Sequence, residues 1–368
     1  MNPTSMFTAR VHRVALLLAL LAAVAAGSAA RAERLLFQRG DALYAAGADG
    51  KNARRLFALG KAEEGIGWAP SPDGRRLAWF APLPLALDAP ASDTGASAGL
   101  AARPVAVYLS DLGGQRRKRL LATNNLRDRQ GRKVTTLFVG NEVPTENGAS
   151  SLADWALDTL AWSADGRSLY LSCTFLPTVG GRATFVVDAA TGACVVDGQG
   201  RWKNIAGMTQ VDARGPLLVG VGLERTSDEG EVPNAESKFA PLTVTNLAEG
   251  KTVSLLPATF SSKRRPPYAT ALAPALSPDA RRIVFAALGQ GLYLVDTQGK
   301  AYRRLTTSPG DDQPRWSLDG KRILFLSAPT DAASPSAADL CEIDVRPSGT
   351  PPRRLVLANV DRFFVVPD

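Results

Sequence analysis

Trp316-Ser317-Leu318-Asp319-Gly320-Lys321-Arg322-Ile323 decides the fold, because the phrase recurs along the chain. Trp162-Ser163-Ala164-Asp165-Gly166-Arg167-Ser168-Leu169 repeats it closely. Pro70-Ser71-Pro72-Asp73-Gly74-Arg75-Arg76-Leu77 and Leu276-Ser277-Pro278-Asp279-Ala280-Arg281-Arg282-Ile283 keep serine, aspartate, basic residue and aliphatic in register. Each is followed by a β-rich apolar run such as Leu77-Ala78-Trp79-Phe80 or Leu324-Phe325-Leu326. The chemistry is that of a hairpin: proline suits the first central position of a type I turn, aspartate the next, and glycine the left-handed residue that resets strand register. Ala280 breaks the rule, and since a left-handed alanine costs about 1–2 kcal/mol, that turn is expected to differ.

A second phrase alternates with the first: a strand, a turn ending in glycine, then a strand led by basic residues, as in Leu292-Tyr293-Leu294-Val295-Asp296 through Gly299 to Arg303-Arg304-Leu305. Versions start at Leu43-Tyr44, Val107-Tyr108, Phe185-Val186, Leu242-Thr243 and Leu340-Cys341. Two strands from each phrase make four short antiparallel strands per unit, one propeller blade. Two units are degenerate: one keeps only Val211-Asp212 and the strand at 217–221, and one ends in 362–366. The expected fold is all-β, a six-bladed propeller of four-stranded antiparallel blades; a seventh blade would follow if the strand-like patch at 134–139 belonged to another unit. Residues 82–104, 122–158 and 225–241 are Pro/Gly/Ser-rich or polar and read as insertions. An unpaired outer strand is an aggregation hazard, so the amino-terminal strand Arg34-Leu35-Leu36-Phe37-Gln38 is expected to close the last blade by pairing near Phe364.

The composition, 45% hydrophobic and 21% charged, suits a globular protein and argues against wholesale disorder. Residues 1–32 read as a signal peptide: basic Arg10 and Arg13, an apolar run at 14–26, and Ala30-Arg31-Ala32 before Glu33. The apolar run would span only about 20 Å as a helix, short of the roughly 30 Å hydrocarbon core, so cleavage rather than anchoring is expected. The propeller then occupies 33–368, with no membrane span after cleavage. The formal charge of +8 falls to +5 once Arg10, Arg13 and Arg31 leave with the leader, too modest for a nucleic-acid binder after export. The single histidine, His12, leaves too, which removes triads and histidine-ligated zinc from consideration. Three cysteines cannot all pair; Cys173 and Cys194 would lie on non-neighbouring strands, so free buried thiols are expected at Cys173, Cys194 and Cys341.

These phrases resemble the TolB-type propeller repeat, also called the PD40 or WD40-like repeat, with its W-S-P-D-G-(K/R)-(K/R)-(I/L)-A-F phrase followed by (I/L)-Y-(V/L)-x-D-x-x-G. The family's namesake carries an α/β domain ahead of its propeller and binds the peptidoglycan-associated lipoprotein. Here the repeat begins at Leu43-Tyr44, close behind the expected cleavage point. The resemblance therefore implies a periplasmic TolB-like propeller more than a component of the Tol-Pal system. No cofactor and no metal ligand set is expected from the residues, and whether a cation occupies the channel is left open by the sequence.

Several conspicuous residues have structural readings. Asp73, Asp165, Asp279 and Asp319 occur once per unit at a hairpin, which is turn chemistry. Trp162 and Trp316 read as packing residues, and the pairs Arg54-Arg55, Lys118-Arg119, Arg303-Arg304 and Arg353-Arg354 as a charged, solvated outer edge. Loops leading into each inner strand would ring the channel mouth. They contain Glu63, Glu64, Asp154, Trp155, Trp202, Lys203, Lys263, Arg264, Arg265, Tyr268, Asp311 and Asp312, a mixture of charges and aromatics suited to a protein or glycan contact. The expected role is a monomeric, non-enzymatic interaction module of the periplasm whose partner is an envelope protein or lipoprotein, or a glycan. The alternative is a carbohydrate-active enzyme using two carboxylates, drawn from Glu63, Asp154, Asp311 and Asp312.

Overall fold

The structure is a computed structural model that describes residues 32–60, 67–82, 103–120, 138–139, 142–144, 150–152, 155–175, 181–194, 204–206, 208–222, 242–255, 271–329, 338–345 and 351–368. The leader and the loops at 61–66 and 256–270 lie outside them. Among the described residues there is no helix. Six four-stranded antiparallel sheets follow one another around a central channel.

Blade 1 joins both ends of the chain: Arg362–Pro367 is its inner strand, followed outward by Glu33–Arg39, Ala42–Gly47 and Arg54–Ala58. Blade 2 runs from inner to outer as Gly67–Pro70, Arg76–Pro82, Arg103–Asp111 and Lys118–Arg119. Blade 3 is Trp155–Trp162, Ser168–Phe175, Gly181–Asp188 and Asn204–Ala206. Blade 4 is Thr209–Arg214, Leu217–Val221, Leu242–Asn246 and Lys251–Leu255. Blade 5 is Ala271–Leu276, Arg282–Ala287, Gly291–Asp296 and Arg303–Arg304. Blade 6 is Asp311–Trp316, Arg322–Ser327, Ala338–Asp344 and Arg354–Val360. Of the patch expected at 134–139, Phe138–Val139 are described; they pair with strands of both blade 2 and blade 3 and so bridge them instead of founding a seventh blade.

The ring closes where the sequence placed the clasp. Leu36 faces Phe364 and Phe37 faces Phe363 in antiparallel register. The last strand of the chain is the innermost strand of the first blade, so three strands come from one end and one from the other. Cys173, Cys194 and Cys341 are buried and none is in a disulfide, and Val187 pairs with Cys194 across an isolated bridge, which separates the two candidate sulfurs by a strand.

The repeat phrase explains itself in the turns. The Ser71, Ser163, Ser277 and Ser317 hydroxyls each donate to the aspartate two residues on and accept the amide five residues on, at 2.9 Å in every copy. Each aspartate also accepts the amide of the residue two positions further, fastening the turn from both sides. At Asp165 the Ser163 hydroxyl and Arg167 amide hold the carboxyl below its ordinary pKa. At Asp73, Asp279 and Asp319 desolvation pushes upward, but the same two hydrogen bonds and the following basic residues outweigh it. The aliphatic that ends the phrase, or its counterpart in the degenerate units, is Leu35, Leu77, Leu169, Leu218, Ile283 or Ile323, and each is fully buried. Burial of such a side chain contributes roughly 1.5–3 kcal/mol.

Blades are fastened to one another by polar groups as well. Arg76 reaches from blade 2 into blade 3, donating to the Gly166 carbonyl at 2.8 Å with its guanidinium 4.7 Å from the Trp162 ring centroid. Arg282 repeats the placement between blades 5 and 6, over Trp316 at 4.7 Å. Arg34 donates to the Gly74 carbonyl, and Arg322 is paired with Glu33, so the same device joins blade 1 to both neighbours. The two joints without the arginine use other groups: Ser172 donates to the Met208 carbonyl, and Asp212 accepts the Leu276 amide.

Ala280 corrects one expectation. Its turn does not differ: the Ala280 amide donates to the Ser277 carbonyl at 2.8 Å, as the glycines of the other copies do to theirs, and its φ is 56°. The surrounding hydrogen bonds impose the left-handed conformation on an alanine. Replacing Ala280→Gly is therefore expected to raise the free energy of unfolding by about 0.5–1 kcal/mol, the relieved strain less the extra freedom of the unfolded chain. Urea unfolding checks this, and a lower midpoint would contradict it.

Candidate functional site

The inner strands of all six blades run in the same sense around the channel, so strand register assigns equivalent positions. Ala69, Ala161, Asp212, Ala275, Arg315 and Phe364 form one layer, one residue per blade, each opposite the third residue of the adjacent strand, or in blade 1, whose strand starts one residue earlier, opposite the fourth. Alanines in three of the six places leave room for the long side chains in the others. The Arg315 guanidinium lies 5.0 Å from the Phe364 ring centroid, and Trp68 tilts against the same ring at 4.9 Å. Arg315 and Phe364 form a waist, because they line both chambers of the channel. The chamber at the mouth, where chain enters the inner strands, has a volume of about 170 Å³, and the chamber toward the hairpin turns about 80 Å³.

The mouth chamber is polar in an unusual way. It is lined by Thr159, Gln210, Asp312, Gln313, Arg315 and Arg362 beside apolar Trp68, Leu160, Val211, Leu272 and Phe364. Blades 4, 5 and 6 each carry an irregularity at the same place on the inner strand, and at its centre stand Gln210, Ala273 and Gln313 with φ of 51°, 44° and 47°. Three left-handed non-glycine residues in successive blades re-aim side chains and amides toward the channel. The Ala273 amide freed in this way donates to Gln210 of the neighbouring blade at 2.6 Å, and the Gln313 amide to Asp312 at 2.6 Å.

Charge is concentrated here. Burial raises the Asp312 pKa against the opposing pull of the Gln313 amide and Arg315. Burial lowers that of Arg315, which is favoured by Asp212 and Asp312 and disfavoured by Arg214. Arg362 is pushed down to about 10 by burial and by repulsion from Arg315. Nε of Arg214, Nε of Arg315 and Oγ1 of Thr159 are buried with no hydrogen-bond partner among the described residues. Among those residues no cluster of histidine, cysteine and carboxylate side chains is arranged to hold a metal ion.

Asp311 and Asp312 are adjacent in sequence but differ in setting. Asp311 is buried and its carboxylate is taken by Arg353, at 2.7 and 2.9 Å, and by the Ser327 hydroxyl at 2.8 Å. Arg353 is exposed as expected, like Arg54, Arg55, Lys118, Arg119, Arg304 and Arg354, but its guanidinium is held by Asp311; Arg303 is half-buried. Asp312 lines the mouth. Trp155 begins the inner strand of blade 3. Glu63, Glu64, Asp154, Trp202, Lys203, Lys263, Arg264, Arg265 and Tyr268 lie outside the described residues. The residues not foreseen are Thr159, Gln210, Asp212, Arg214, Arg315, Arg362 and Phe364. For Arg315 the signal was present: it stands immediately before Trp316-Ser317, where strand alternation points it away from the tryptophan and into the channel.

No family model matches the chain, and no curated protein matches it. Solved structures do resemble it. TolB from Acinetobacter baumannii superposes with a TM-score of 0.54 at 14% identity, over 92% of this chain and 67% of that one. An oligogalacturonate lyase in complex with manganese gives 0.41 at 15% identity, over 88% and 73%. The propeller domain of the Trilobed protease from Pyrococcus furiosus gives 0.41 at 13% identity, over 86% and 75%. The fold is a six-bladed β-propeller. It is similar to the TolB-like propeller in particular, as the repeat phrases indicated.

Arg315 supplies a test of the channel's character. A buried guanidinium without its full complement of acceptors is a cost to the fold, and an apolar side chain of similar length is often neutral or better. Arg315→Met is expected to leave the urea midpoint unchanged or raise stability by up to about 1–2 kcal/mol. A loss of more than about 1 kcal/mol would show that the guanidinium serves the fold.

Proposed function

We propose that this chain is an exported binding module of the bacterial cell envelope, acting in the periplasm by docking an envelope protein or lipoprotein on the channel-mouth face. One observation carries the reading: a closed ring of six sheets presents a polar mouth whose wall is bent, at the same position in three successive blades, by left-handed residues. Rigid scaffolds with irregular, polar rims suit recognition, because the ordering cost of the binding surface is met on folding. The leader-like segment at 1–32 supports export. The likeness to TolB supports the scaffold, and the periplasmic assignment is our extension of it. A binding role also fits the channel carboxylates, since Asp212 and Asp312 each accept a backbone amide and face Arg315.

Site-specific photo-crosslinking in the native cell tests the reading. With the crosslinker in place of Gln313 at the mouth, a single envelope-protein adduct is expected in the periplasmic fraction. In place of Leu355, exposed on the outer strand of blade 6, none is expected. Equal adducts from both positions, or a precursor still carrying residues 1–32 in the cytoplasm, would contradict it.

A further inference from the structure

We infer that the waist of the channel is a carboxylate-binding site, built by Arg315 and Arg362 with Arg214 below and Thr159 beside them. Three features argue for it. Arg315 and Arg362 line the same small mouth chamber, two like charges in one buried space, an arrangement that an anion between them relieves. Nε of Arg315, Nε of Arg214 and Oγ1 of Thr159 are buried donors with no acceptor among the described residues, and all three residues line the two chambers that meet at the waist. The two facing carboxylates do not use up these donors: Asp212 accepts the Leu276 amide, Asp312 accepts the Gln313 amide, and neither forms a contact ion pair with Arg315.

Size narrows the ligand. About 170 Å³ admits a group of roughly benzene size, and guanidinium forks match carboxylates by parallel N–H···O bonds. Gly67 lets Arg362 lie close against blade 2, since a Cβ there would be 3.3 Å from Nη1 of Arg362 and 2.4 Å from the Phe80 ring. The carboxylate is either a side chain or terminus of an extended acidic peptide or a small diffusible acid. The site is inside the channel and does not depend on which protein docks on the rim.

Calorimetric titration of the full chain at low salt, with succinate against succinamide and with a capped Gly-Asp-Gly peptide against its asparagine analogue, tests this. At least one acid is expected to bind about tenfold or more tightly than its amide, and Arg315→Met or Arg362→Met to remove that preference, while Arg55→Met on the outer strand does not. Preference for the peptide alone assigns the carboxylate to a polypeptide, and for succinate alone to a small molecule. The Hε resonance of Arg315 in the unsubstituted protein, shifting with the acid and not with the amide, gives a readout that needs no variant to fold. Equal binding of acid and amide in both pairs, or affinity unchanged in both arginine variants, would overturn the inference.

Discussion

The pairing of Glu33–Arg39 with Arg362–Pro367 is the constraint on which the rest of the molecule depends. A four-stranded sheet that is apolar on both faces must cover both, and each blade here packs its faces against two neighbours. Such an arrangement has no free face only when the ring is complete. The clasp is apolar as well as hydrogen-bonded: Leu35, Leu36 and Phe37 are fully buried, and Phe363 is nearly so. Because the closing strand is innermost, Arg362 and Phe364 are channel-wall residues, and closing the ring also completes the site.

Neighbouring blades are held in phase by a device written into the repeat. The arginine that follows the hairpin turn crosses to the next blade: Arg76 and Arg282 lie over its tryptophan, Arg76 and Arg34 cap the carbonyl of its hairpin glycine, and Arg322 pairs with Glu33 while also holding Glu342 of its own blade. A cation over an indole contributes about 0.5–2 kcal/mol, and the contact occurs at two of the joints, between blades 2 and 3 and between blades 5 and 6. Where the arginine is lost, as at Ser168 of blade 3, serine and aspartate hydrogen bonds to the neighbouring backbone take over. This explains why the phrase conserves its spacing within the chain while its individual letters vary.

Much of the fold was legible because the deciding interactions are local. Serine, aspartate and glycine at fixed offsets specify a hairpin, and four-strand bookkeeping follows from alternating two hairpin phrases. The clasp was legible by the need to cover an edge, and the absence of disulfides by strand geometry. Ala280 was misjudged because tertiary hydrogen bonds around Ser277 and Asp279 override the backbone preference of one residue. The channel was far less legible. Arg315, Arg362 and Asp212 come together only when blades 6, 1 and 4 face one another, and no spacing in sequence encodes that encounter. Attention to the loops before each inner strand was drawn by their charges, yet the described charges at the waist belong to the strands themselves.

Hydrogen exchange at the amides of Glu33–Arg39 tests most directly the claim that one clasp sustains both the ring and its channel. In the full chain these amides are expected to exchange only by global unfolding, and on removal of residues 362–368 they should lose protection together with those of blades 2 and 6 that pack against blade 1. Protection that survives the truncation, with an unchanged urea midpoint, would contradict the account.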